Sequence, residues 1–226
     1  MQIELTFFSP RGRFLARASG METGNVLLRR RQYRVADDGT QSLALARNFI
    51  VGKLYNARWV LERGARDHAL TMDAERLKDV SAQLRCSINA VMACGDADSL
   101  RGIEGEAASL YFSVFDELIL RDDAAFRFTV RSRRPPLDNV NALLSFAYSL
   151  LANECAAALE GVGLDPSVGM LHTDRPGRKS LALDLMEELR PLLADRFVLT
   201  GINNRVFASA HFDKSDSGAV SLNDAG

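Results

Sequence analysis

His172 lies in a polar segment punctuated by glycine and proline, and an apolar stretch carrying Asp184, Glu187 and Glu188 follows it in GMLHTDRPGRKSLALDLMEELRP, residues 169–191. Residues spaced by three and four lie on neighbouring positions of one helix side, so these acids share a neighbourhood. Crowded carboxylates repel one another, and a cation relieves that cost. Magnesium and manganese accept carboxylate oxygen, and manganese also accepts imidazole. A loop folded back over the acids would bring His172 into such a site. The same pattern also suits a solvated helix face held by structural ion pairs, beside a histidine with no role.

Two further stretches carry chemistry. In RGIEGEAASLYF, residues 101–112, Glu104 and Glu106 stand where an apolar helix face begins. They read either as acids at a helix N-terminus facing its dipole, or as the source of a further ligand, Glu104. Gly105 beside them would permit close approach of a backbone or substrate. RSRRPP, residues 131–136, holds Arg131, Arg133 and Arg134 next to two prolines, and LLRRRQYR, residues 27–34, holds four more arginines with Tyr33. Arginine forks match phosphate oxygens, although a solvated charge run has the same appearance. Two such patches on a chain of net charge −1 favour a local grip on a phosphate backbone over a global field.

Helices must position these residues. Leu43, Ala46, Ile50, Leu54, Ala57 and Val60 recur at helical spacing, as do Leu77, Val80, Leu84, Ile88 and Val91 within 76–92. A third helical segment is predicted over 104–120, with Ala108, Tyr111, Phe112 and Phe115 on one face, and a connecting loop follows it. Asp138 is placed to cap the next helix, striped by Val140, Leu143, Leu144, Ala147 and Leu151 and running to Gly161. Residues 180–193 predict another helix, interrupted at Pro191, and the tail, KSDSGAVSLNDAG, is polar and ends without a capping element. Before all of these, residues 3–8 read as a strand with Ile3, Leu5 and Phe7 on one face. Ser9-Pro10-Arg11-Gly12 is a turn, and Phe14-Leu15-Ala16 continues extended. The fold class is mainly α, with a short N-terminal β remnant over 1–20 and a helical domain over 21–226.

The 226 residues, 47% of them apolar, allow a sizeable core. Three widely spaced cysteines with no CxxC suggest neither a disulfide framework nor a thiolate zinc site, which fits a reducing cytoplasm. The opening MQIELTFFSPRGR has its apolar run ahead of its arginines, unlike a signal peptide. No apolar run reaches the length of a membrane span, so no membrane partner is expected.

Three ordered stretches resemble one known family, the CRISPR-associated adaptation integrase or universal spacer-acquisition endonuclease. RGIEGEAASLYF is similar to its Gly-Ile-Glu-Gly helix. RSRRPPLDNVNALLSFAYSLL, residues 131–151, is similar to its central Arg-Pro-Pro segment. GLDPSVGMLHTDRPGRKSLALDLMEELRP, residues 163–191, is similar to its histidine loop and acidic helix. SPRGRFLAR, GNVLLRRRQYR and LARNFIVGKLYNAR extend the resemblance upstream. It implies that Glu104, His172 and Glu187 are the catalytic ligands of a Mg2+ or Mn2+ ion, with Asp184 as supporting acid, and that Arg131, Arg133 and Arg134 hold DNA. The implied activity is that of a metal-dependent DNA endonuclease and integrase. It inserts captured spacers into a CRISPR array by attack of a 3′-hydroxyl on a phosphodiester. Implied partners are double-stranded and branched DNA, a second copy in a homodimer, and a small adaptation protein completing a heterohexamer. The family fold is an N-terminal β domain followed by an all-α domain. Residues 1–20 are accordingly expected to be the end of the first, and the α domain is expected to be incomplete at its C-terminus. A catalytically inactive DNA-binding or scaffold remnant is the alternative, and an all-α regulator whose acids are only solvated is a third.

Overall fold

The structure, a computed structural model, describes residues 5–10, 12, 14–18 and 25–225. Ile3, Arg11, the boundary at residues 20 and 21, and Gly226 lie outside the described residues. The elements run β1 (Leu5–Phe8), β2 (Phe14–Ala18), α1 (Val26–Asp37), α2 (Gly39–Asp67), α3 (Ala74–Ala93) and α4 (Ala97–Phe112). After them come α5 (Asn139–Gly161), α6 (Ser180–Leu189), α7 (Arg196–Asn203), β3 (Phe212–Lys214) and β4 (Val220–Leu222). The class is mainly α, as the periodicity predicts.

Aspartates start four of the helices. Asp38, Asp73, Asp96 and Asp138 each accept a hydrogen bond from a backbone N–H of the first turn, satisfying donors that the helix itself cannot. Asp38 also ends α1, donating its own N–H to the Val35 carbonyl, so α1 and α2 meet at a single residue. The 29-residue α2 is the central element, packed against α3, α4 and α6. Its Ala46, Ile50, Leu54 and Leu61 form the core with Leu77, Leu84 and Val91 of α3, and with Phe115 and Phe126. A smaller cluster joins Cys155, Ala156 and Leu159 of α5 to Leu181, Ala182 and Met186 of α6.

Several boundaries differ from those predicted. α4 begins at Ala97 and ends at Phe112, followed by a 3-10 turn over Phe115–Leu118. Glu104 therefore sits two turns inside a helix, and the helix-start reading of Glu104 and Glu106 does not hold. Pro191 interrupts the α-helix, as expected, but the helical course continues beyond it. It lacks the N–H that would bond back along the helix, and the chain opens into a wider π turn over Arg190–Asp195 before resuming as α7. The polar tail forms a hairpin that the sequence reading did not identify: β4 pairs antiparallel with β3, Gly218 turns at φ +82°, and the Val220 N–H donates to the Pro136 carbonyl at 2.9 Å.

α5 is long and apolar enough to cross a membrane by length and composition, with a mean hydropathy of 1.4 over its most apolar window. This corrects the expectation that nothing in the chain reaches that length. Its Val140, Leu143, Leu144 and Ala147 are spent on the protein's own core.

Candidate functional site

Three helices each turn an ionic side chain inward. On α2, Lys53 shares a face with Ile50, Leu54 and Ala57. On α4, Glu104 shares a face with Leu100, Ala107 and Tyr111. On α6 the inward side is Ser180, Asp184 and Glu187, while Leu183 and Leu185 are only half-buried. Asp184 is 0% exposed and Glu187 3%, so the acids are not a solvated face.

Asp184 shapes the loop that carries His172. Its carboxylate accepts three consecutive backbone N–H groups: Met170 at 2.6 Å, Leu171 at 3.0 Å and His172 at 3.0 Å. It also meets His172 Nδ1 at 2.6 Å. An ionised carboxylate only accepts, so Nδ1 carries a proton, and in the neutral ring Nε2 is the nitrogen with the free lone pair. Gly169 makes this wrap possible, because a Cβ there would stand 2.5 Å from the His172 carbonyl oxygen and 2.7 Å from Ser180 Cβ. From the other side, the buried Gln32 side chain of α1 donates to the carbonyls of Asp165 and Val168, and accepts the Asp165 N–H at 2.8 Å. Ser42 of α2 holds the Met170 carbonyl at 2.9 Å.

Glu187 lies between two cations. Arg190 Nη2 is 3.1 Å from Oε1 and Lys53 Nζ is 2.7 Å from Oε2. The Lys53 contact has ion-pair distance without hydrogen-bond alignment, so Oε2 is buried with no hydrogen-bond partner. The ion pair is the better description, because Coulomb attraction needs no alignment. Burial pushes the Glu187 carboxyl up, but the charges of Lys53 and Arg190 overcome it and hold the group at about 2. Lys53 also ion-pairs with Glu104.

Glu104, His172 and Glu187, far apart in sequence, line one cavity of about 290 Å³ together with Arg101, Arg175 and Arg178. Glu104 and Lys53 also open onto a neighbouring cavity of about 520 Å³, walled by Tyr111, Phe112, Tyr148 and Arg133. Gly105 faces that space, and a Cβ there would meet nothing within 4 Å. Two carboxylates, an imidazole nitrogen with a free lone pair and a buried oxygen lacking a hydrogen-bond partner suit a hard divalent cation. Among the described residues no three His, Cys, Asp or Glu side chains already converge as a metal cage. Lys53, in contact with both Glu104 and Glu187, balances their charge instead.

The arginine loop divides its labour. Arg131 is committed inward: it donates to Asn141 Oδ1 at 2.6 Å and Ser145 Oγ at 3.2 Å, and stacks over Tyr148 at 5.3 Å. Asn141, fully buried, also accepts the Ser132 N–H and donates to the Val130 carbonyl, fixing the loop's path. Arg133 and Arg134 are exposed. In the upstream basic run, Arg29 reaches the Gly163 carbonyl and Arg31 donates to Gln41. Glu106 is exposed and Glu188 half-buried, its carbonyl taken by Asn56 at 2.7 Å.

Tyr148 also ties a third buried acid to the site. It donates to Asp195 Oδ1 at 2.6 Å, and Arg190 stacks over its ring at 5.0 Å. Burial pushes the Asp195 carboxyl up to about 6, against the partial relief of Tyr148, Tyr111 and the two arginines. Lys53, Arg101, Arg175, Arg178 and Arg190 were not legible as site residues from motif spacing alone. For Lys53 a signal existed, since a lysine at a core position of an apolar helical stripe needs a buried partner.

The sequence profile described as "CRISPR associated protein Cas1" matches residues 1–226. The chain is 51% identical over 222 residues to a "CRISPR-associated endonuclease Cas1 1" of Chlorobaculum tepidum, covering 98% of this chain and 65% of that protein. It is 52% identical over 217 residues to a "CRISPR-associated endonuclease Cas1 2" of Rhodospirillum rubrum, covering 94% and 62%. The chain thus spans just under two thirds of the length of these relatives. Among solved structures, a casposase bound to its integration product superposes with a TM-score of 0.83 at 26% identity, over 100% of this chain and 60% of that one. A Cas1 protein from Thermotoga maritima gives 0.80 at 27%, over 99% and 67%. With the acids of α4 and α6 and the histidine loop brought to one cavity, and with the match running from end to end, this chain belongs to the Cas1 family of CRISPR-associated proteins.

Proposed function

We propose that the chain carries the catalytic centre of a divalent-metal-dependent DNA endonuclease and integrase, in a helical catalytic domain over residues 21–226. The reaction is the insertion of captured DNA fragments into a CRISPR array. The observation that carries this reading is the convergence of Glu104, His172 and Glu187 on one cavity rimmed by arginines. In strand transfer a 3′-hydroxyl attacks phosphorus, one P–O bond forms as another breaks, and a new 3′-hydroxyl leaves. The number of phosphodiester links is conserved, so no external energy source is required. Attack by water in place of the hydroxyl gives endonuclease cleavage.

Glu104, Glu187 and Nε2 of His172 would hold Mg2+ or Mn2+, which supplies Lewis-acid stabilisation of charge at the reacting phosphate. The chain's own groups do the rest. Arg101, Arg175 and Arg178 bring positive charge to the rim where a DNA backbone would lie, and exposed Arg133 and Arg134 extend that grip without sequence content. Arg131 supports the loop from within. Asp184 keeps the His172 ring in one tautomer, the supporting role that outer partners take at metal-binding histidines.

The casposase and the Cas6-RT-Cas1–Cas2 complexes among the similar structures support DNA and a small adaptation protein as partners. A homodimer within a heterohexamer is the assembly proposed, acting on cellular DNA in the cytoplasm. The test uses labelled branched DNA with and without Mn2+, beside His172→Ala and Glu187→Gln. Joining or cleavage that requires Mn2+ and falls by about a hundredfold or more in both variants is expected. DNA binding retained with no metal-dependent turnover would replace this reading with that of a non-catalytic DNA-binding member.

A further inference from the structure

Among the described residues, Lys53 is the one cation in contact with both proposed metal-binding carboxylates. Its ammonium reaches Glu104 and Glu187 from a position on α2 that is otherwise part of the core stripe, and its side chain is 11% exposed. A lysine is kept in such a place only by the charges it neutralises. Glu104 and Glu187 carry two negative charges, and Lys53 and Arg190 supply two positive ones, so this cluster is already balanced. A divalent cation added to it would leave two positive charges in excess. Withdrawal of one cation from these contacts would halve that excess.

Arg190 also borders the neighbouring cavity, but it is the worse placed of the two to move, because its guanidinium stacks on the Tyr148 ring. Lys53 has a flexible four-carbon stem and already lines the neighbouring cavity of about 520 Å³, which gives its head group somewhere to go. We propose that Lys53 is an exchangeable placeholder for the divalent cation, clamping Glu104 and Glu187 in the metal-free protein and moving aside when the ion enters. The inference rests on the metal-centre reading above and adds to it a resident competitor. The placeholder keeps two facing carboxylates from repelling each other before metal arrives, and it weakens metal binding in return.

Lys53→Met removes the charge and keeps the stem's length. In chelator, this variant is expected to melt below the parent protein, because the acids are left uncompensated. With Mn2+ it should recover, and paramagnetic resonance of free Mn2+ should show it binding the ion roughly tenfold more tightly than the parent, an ordinary coupling between sites. Lys53→Arg, which keeps the charge, should resemble the parent in chelator. A Lys53→Met protein as stable as the parent in chelator, or one binding Mn2+ no more tightly, overturns the placeholder while the parent's own Mn2+ binding leaves the metal centre standing. Absence of Mn2+ binding to the parent overturns both. If Lys53→Met does not fold in chelator, refolding it in Mn2+ decides the matter: recovery supports replacement of the ammonium by the ion, and continued failure refutes it.

Discussion

Asp184 and Glu187, three residues apart on one helix, do different work. Asp184 organises backbone and a histidine ring, whereas Glu187 faces cations. Asp184→Asn keeps the shape but cannot accept at both oxygens, so donors of residues 170–172 go unpaired. A loss of about 2–3 kcal/mol in urea unfolding is expected, with a ten- to hundredfold fall in metal-dependent activity although no proposed ligand is changed. The two strongly shifted acids pull pH dependence in opposite directions. Glu187 titrates at about 2 against an ordinary 4.5, so its stabilising contribution is complete above pH 4.5 and disappears as pH falls toward 2. Asp195 is raised to about 6 from 3.8, so the folded state favours its protonated form and loses stability as pH rises through that window. Asp195→Asn should therefore raise stability at pH 7.5 by on the order of 2 kcal/mol and flatten the profile between pH 4 and 6.5, measured by thermal denaturation across pH. Type and spacing drew attention to Glu104, His172, Asp184 and Glu187, but left a solvated or helix-start role open for them, and it was the family resemblance that made three of them the proposed ligands. Lys53 was overlooked because a helical stripe is counted by its apolar members, and its partners lie 51 residues away at Glu104 and further still at Glu187.

The histidine loop keeps its shape through what grips it from either side. Gln32 on α1 satisfies three backbone groups of residues 165–168 from a buried position. Gln32→Ala is expected to cost about 1–3 kcal/mol by stranding those groups, and to raise hydrogen exchange at residues 165–172 ahead of the rest of the chain. The long helices were legible because an apolar face repeats over many turns and an aspartate marks the start of α2, α3, α4 and α5. β3 and β4 were not, since three-residue strands reading FDK and VSL show no sustained alternation and depend on contact with Pro136 and Phe126. The interruption at Pro191 was legible because its missing N–H is local information, whereas the continuation into α7 was not. The Asn56 side chain that takes the Glu188 carbonyl, and the packing that carries the chain through the π turn, belong to other parts of the fold.

Viewed as one body, the protein is built around α2, and its β1–β2 hairpin touches the helices at Gly12, beside Phe146, and at Phe14, under Lys179. Leu5, Phe7 and Leu15 are at least half exposed, on a two-stranded sheet whose edges pair with no further strand among the described residues. Such edges and apolar tips recruit further strands. Light scattering at micromolar concentration is expected to show self-association, reduced by Phe7→Lys combined with Leu15→Lys; a clean monomer in the parent would contradict this. A last consequence returns to the three backbone amides gathered on Asp184. They fix the His172 ring before any ligand arrives, so a ligand reaching Nε2 immobilises little that was free. In calorimetric terms the conformational-entropy penalty of binding falls on Lys53 and Glu104 alone, and the histidine side of the site contributes its affinity almost undiminished.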